Sequence, residues 1–139
     1  MFTLFFGYFL ALTTAAPQTV ELNVTSTAAK SAPLHVAVFR TAEDFAADSP
    51  VVGLVEPMQD GRKTVTVKLP AAGDYVFAAF HDLNDNGKLD RNLLGVPTEP
   101  YGFTKEPPSK WRAPEFGEIS TSVGSQERAT IQLKRWSEY

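Results

Sequence analysis

The sequence predicts an all-β domain, a single seven-stranded antiparallel β-sandwich with one short helical turn and one long loop rich in proline and aromatic residues. Three observations predict it. Apolar residues recur with a period of two in short segments, turn residues separate those segments, and almost none of the chain carries a helical period.

Val20, Leu22 and Val24 alternate with Glu21, Asn23 and Thr25, the period of a half-buried strand. Leu34 to Phe39 is apolar on both faces and reads as an inner strand, after which Thr41 caps one helical turn through Phe45. Val51 to Val55 leads to the Asp60-Gly61 turn, and Val65, Val67 and Leu69 form the other arm of an expected hairpin. After the turn Pro70 to Gly73, Tyr75 to Phe80 is again apolar on both faces and is expected to be central. Ile119, Thr121 and Val123 mark a sixth strand; Ala129, Ile131 and Leu133 mark the seventh. Between Gly95 and Gly117, Pro97, Pro100, Pro107, Pro108 and Pro114 exclude regular strand. The aromatic residues interleaved with them argue against disorder, so this segment is expected to fold back over the sandwich.

Residues 1–16 carry no charge, run apolar from Phe2 to Leu12 and end in small residues, which reads as a secretory signal peptide. That run is shorter than the roughly 20 residues of a spanning helix, so no membrane span is expected after its removal. Residues 17–139 are then one domain, exported to the periplasm or the extracellular medium and expected to be a monomer. There is no cysteine, so the domain must be held by its core and an ion at most. The net charge of −3, spread without a basic run, excludes nucleic acid as a partner.

Chemistry concentrates in Asp82 to Asp90, where short oxygen-bearing side chains stand at loop positions one, three, five and nine with Gly87 at six. This is the spacing of a calcium-binding loop. Asp82, Asn84, Asn86, the Lys88 carbonyl and Asp90 are the expected ligands, with Glu99 from the following segment closing the shell. Leu93 occupies the position where a helix-loop-helix site has its bidentate Glu, so an EF-hand is excluded. Two carboxylates predict a weak site, with a Kd of roughly 10⁻⁴ to 10⁻³ M. The competing reading is a plain turn, because Asp and Asn satisfy their own backbone in turns.

His35 and His81 are the only imidazoles, too few for a zinc site, and no hydrolase, P-loop or dinucleotide motif is present. No catalytic residue is assigned. The alternatives carried forward are a small hydrolase using His81 as base, with Asp82 or Glu99 orienting it or a metal polarising water, and a structural module without a ligand. His81 itself reads as a ring packed at a sheet edge. Tyr101, Phe103 and Trp111 are the candidates for gripping a carbohydrate or protein partner; the competing reading is that they cover the sandwich.

His81 to Asp90, followed by Asn92, Leu94 to Phe103, and upstream by Leu69-Pro70 and Gly73 to Tyr75, resembles an exported bacterial family, domain of unknown function 2141. The similarity reaches Pro114 to Phe116 and departs from the family at Thr104 to Pro108, where small and amide residues are usual. It implies an exported single sandwich, immunoglobulin-like or transthyretin-like, without an established activity. Some transthyretin-like proteins are hydrolases, but their histidine set and C-terminal tetrapeptide are missing from a chain ending Lys134 to Tyr139.

Overall fold

In the computed structural model, residues 15–124 and 128–139 are described; residues 1–14 of the expected signal peptide lie outside the described residues. Two β-sheets pack face to face. The first has the order β4 (Arg62–Leu69), β1 (Gln18–Ser26), β8 (Arg128–Leu133). The second has the order β3 (Val52–Met58), β2 (Ala32–Phe39), β5 (Gly73–His81), β6 (Tyr101–Phe103), and β7 (Thr121–Val123) pairs with the first residues of β5.

The sandwich and its alternating strands are as the periodicity predicts. β1 buries Val20, Leu22 and Val24 and turns the residues between them away from the core. From the other strands Leu34, Val36, Val38, Val65, Val67, Tyr75, Phe77, Ile131 and Leu133 meet them. Full burial of such side chains stabilises by about 1.5–3 kcal/mol each. That sum explains how the domain dispenses with disulfides. Tyr75 satisfies its buried hydroxyl by donating to the Ala71 carbonyl at 2.7 Å.

Three details of the sheets differ from the sequence expectation. Among the described residues the strands number eight rather than seven, because Tyr101–Phe103 forms β6 within the segment read as non-strand. It lies between Pro100 and the prolines at 107 and 108, just long enough to pair with Ala78 to Phe80. One pairing is parallel rather than antiparallel: β8 runs beside β1, with Arg128 opposite Glu21 and Leu133 opposite Ser26. The Asp60-Gly61 turn forms, with both residues at positive φ, but only Gln59 and Arg62 pair across it. Beyond that bridge β3 joins β2 and β4 joins β1, so the turn passes the chain between sheets and builds no hairpin ladder.

Strands β2 and β5 are apolar on both faces because a second small core lies outside their sheet. Phe39, Val76 and Ile119 are buried there, with Phe45, Phe103 and Phe116 packed around them. Two helical turns, where the sequence predicts one, supply part of this cover. In α1 (Ala42–Ala46) the Thr41 hydroxyl accepts the Asp44 amide at 3.0 Å, the expected cap. Ile119, expected to open a strand, ends α2 (Phe116–Ile119), and β7 begins at Thr121. The sheets join at one edge, where Tyr101 and Lys134 exchange backbone hydrogen bonds of 2.9 and 3.0 Å.

Candidate functional site

The pleat of β5 decides how the acidic loop starts. Phe80 points out of the sandwich and His81 points in, so Asp82 follows Phe80 to the outer face. There it is fully buried. Its Oδ1 accepts the Asn86 amide at 3.2 Å, and its Oδ2 accepts the Gly87 amide at 2.8 Å. His35 Nε2 lies 3.0 Å from the same Oδ2. Gly87 takes φ 77°, the positive-φ position the spacing requires, and Asp85 takes φ 53°.

Glu99 arrives from beyond the loop, is 4 % exposed, and ties the loop's two ends together. Its Oε2 accepts the Leu83 amide at 2.6 Å and its Oε1 accepts the Asp90 amide at 3.1 Å. Asp90 receives the side-chain amides of Asn84 at 2.5 Å and Asn86 at 2.7 Å. Those donors, Asn86 first and then Asn84, hold the Asp90 carboxyl below the usual carboxylate range. Asn86 Oδ1 accepts the Lys88 amide at 3.0 Å. Of the six expected ligands, Asn84, Asn86 and Asp90 therefore converge at the surface, Lys88 turns within the same loop, and Asp82 and Glu99 stand behind them bound to backbone amides. Among the described residues no group of three or more His, Asp or Glu side chains is arranged to hold a metal ion.

His81 is packed, as the sequence suggests, and His35, to which the sequence reading gave no role, is the imidazole beside the acidic loop. His81 is fully buried at the end of the core, with Nδ1 3.0 Å from the Ser26 hydroxyl and Nε2 without a hydrogen-bond partner among the described residues. Burial pushes its pKa below 6.5. It is sealed from any substrate. The imidazole that meets Asp82 is His35, stacked on Phe80 with ring centroids 4.6 Å apart. A carboxylate only accepts, so Asp82 places the His35 proton on Nε2 and leaves Nδ1 as the acceptor in neutral imidazole. The relevant sequence signal was the parity of β2 and β5, which puts His35 opposite Phe80 and hence beside Asp82.

Beyond the outer aromatic core, the same sheet face opens into a cleft of about 1490 Å3. Outward strand residues including His35, Val55 and Phe80 line it, between loop segments 87–97 and 106–114. Tyr101, Phe103 and Trp111 all border this cleft, but differently. Phe103 also packs against the outer core, Tyr101 is half-buried, and Trp111 is 79 % exposed. Trp136 and Tyr139, to which the sequence reading gave no binding role, complete the aromatic wall. Trp136 meets Trp111 edge to face at 5.0 Å and donates Nε1–H to the Lys110 carbonyl at 3.0 Å. Tyr139 packs on Tyr101 at 5.0 Å and donates its hydroxyl to the Tyr101 carbonyl at 2.6 Å. Two aromatic residues in the short segment after the last strand, Trp136 and Tyr139, were the signal available for this wall.

A family model described as "Uncharacterized protein conserved in bacteria (DUF2141)" matches residues 22–132. Neither the curated proteins nor the solved structures contain a match to the chain.

Proposed function

The chain belongs to this bacterial family of uncharacterized proteins, and we propose that it acts as an exported, non-enzymatic binding module. Its acidic loop takes a calcium ion, and the aromatic cleft beside the loop is the face that meets a partner. The observation that carries this reading is the convergence on Asp90. Two Asn side chains turn to its carboxylate, while Glu99 braces the loop from behind. Rotating the two amides brings their oxygens where their nitrogens now stand. Asn84, Asn86 and Asp90 then supply three side-chain oxygens at one point, and the Lys88 carbonyl and water complete the shell. Residues 87–97 form one wall of the cleft, so an ion in the loop stiffens that wall. His81 is buried, which removes the base that the hydrolase alternative names.

One observation favours a second reading, a self-satisfied turn in a structural module. The carboxylates of Asp82, Asp90 and Glu99 already have hydrogen-bond donors from the loop itself. Thermal unfolding separates the two readings. At about 10 mM calcium, roughly ten times the weakest expected Kd, binding to the folded state stabilises by about 1.4 kcal/mol. That raises the midpoint by about 4–6 °C. Magnesium is expected to do less, and Asp90→Ala to remove the calcium response. Equal midpoints in calcium and chelator establish the turn.

A further inference from the structure

The geometry points to a specific ligand class for the outer cleft: a single-chain amphiphilic anion, an acyl chain ending in a carboxylate or phosphate. This rests on the reading of the cleft as the module's ligand face.

The apolar half of the argument is the uncovered part of the sheet. Phe39, Phe45, Phe103 and Phe116 seal one region of the outer face. Val55 and Phe80 adjoin it and are open to the cleft, Val55 being 62 % exposed, with Ala37 and Ala78 at the border where the sealed region ends. The cleft's edges carry more apolar surface. Leu94 is 87 % exposed on one loop and Trp111 79 % on the other, and Leu93 beside Leu94 is fully exposed. The turn that presents the leucines is well tied, because Asn92 Oδ1 accepts the amides of Leu94 at 2.9 Å and Val96 at 3.1 Å. Large apolar side chains gathered around one cleft mark contact with another apolar body. Aliphatic groups offer a sugar's hydroxyls nothing, whereas they suit hydrocarbon.

Charge supplies the other half. Lys88 and Arg91 line the cleft on one loop and Lys110 and Arg112 on the other, with Asp48 and Glu106 the acidic side chains among the described lining residues. Arg112 is paired with Glu118 at 2.6 Å, and Glu106 lies 3.7 Å from Lys134. Among the described lining residues Lys88, Arg91 and Lys110 then outnumber Asp48, with Lys88 also close enough to Asp90 to help stabilise its carboxylate, in a protein whose net charge is −3. Such a local cation excess attracts an anion. Lys110 is held in place, its Nζ 4.4 Å from the Trp136 ring centroid and 3.1 Å from a main-chain oxygen of Tyr139.

Size and depth select the form of the ligand. The volume of about 1490 Å3 exceeds the roughly 300–1,000 Å3 usual for compact ligands, which suits an extended chain. The apolar strip lies between loop segments 87–97 and 106–114, so an occupant lies along the sheet between them.

Trp111 and Trp136 are the only tryptophans and both border the cleft, so intrinsic fluorescence of the full chain reports on it. The probes are decanoate and dodecanoate below their micelle concentrations. The comparators are monodecanoylglycerol, trigalacturonate and phosphatidylglycerol vesicles. Saturable binding is expected, tighter for dodecanoate, because each buried methylene strengthens binding about fourfold. Arg91→Glu is expected to weaken it roughly tenfold by removing a charged partner. Val55→Asp, a change at an exposed position, is expected to abolish it. Monodecanoylglycerol binding as tightly as decanoate overturns the inference, as does binding insensitive to both variants or a response to vesicles alone. Trigalacturonate binding without dodecanoate binding overturns the inference and leaves the cleft as a ligand face. No response to any probe overturns both.

Discussion

Replacing Glu99 with Gln exchanges one oxygen for an amide group and tests what holds the acidic loop to the sheet. Both Glu99 oxygens accept backbone amides, from Leu83 at 2.6 Å and from Asp90 at 3.1 Å. Gln has a single side-chain acceptor, so either orientation turns its NH2 toward one of those N–H groups. The variant loses a hydrogen bond to a charged acceptor, about 1.5–3 kcal/mol, and leaves a donor unpaired at about 1–3 kcal/mol. Leu83 and Asp90 are only half-buried, so water meets part of that demand. The expected destabilisation is about 2–4 kcal/mol. At about 4 °C per kcal/mol for a domain of this size, the thermal midpoint falls by about 8–16 °C. Urea unfolding followed by circular dichroism is the direct assay, in which the transition midpoint should fall with the m-value unchanged. A loss below about 0.5 kcal/mol, the level of an ordinary surface change, refutes the account of Glu99 as the brace.

Two further predictions concern the core and the edge between the sheets. His81 is held neutral by burial, with its folded-state pKa below the unfolded value of 6.5. Its contribution is complete above pH 6.5 and is lost as pH falls from there through the lower folded pKa, because the unfolded chain then binds a proton the folded state resists. Thermal midpoints of the parent and of His81→Leu should diverge between pH 7.5 and 5.5, with the parent falling faster; parallel curves would contradict this. At Gly102 a Cβ would lie 2.7 Å from the Gln132 carbonyl oxygen and 3.2 Å from Ile131 Cγ2. Gly102→Ala is therefore expected to cost about 1–3 kcal/mol by forcing β6 from β8. An unchanged urea midpoint would show that this edge yields freely.

Much of the fold was legible because strand periodicity is local. The alternation of Val20, Leu22 and Val24 and the double apolarity of β2 and β5 correctly foretold a half-buried strand and two inner ones. What the second apolar face meets was not legible, since Phe39 and Val76 are covered by residues from 116–119, distant in sequence. The same limit applies at Asp60-Gly61, where local turn chemistry was right and strand partnership was not. β6 escaped notice because three residues among prolines carry too little pattern to signal a strand.

The candidate site divides along the same line. Spacing alone placed oxygen at 82, 84, 86 and 90 and demanded positive φ at Gly87, because both follow from chain geometry over a few residues. Spacing did not determine that Asp82 is buried against His35 and that Glu99 spends both oxygens on loop amides. Nor did it unite Lys88, Arg91, Lys110 and Trp136 around one cleft. Those outcomes depend on which strands lie side by side and which way each pleat faces. Burial, charge pairing and clefts are made by packing residues far apart in the chain, and only the tertiary structure decides that packing.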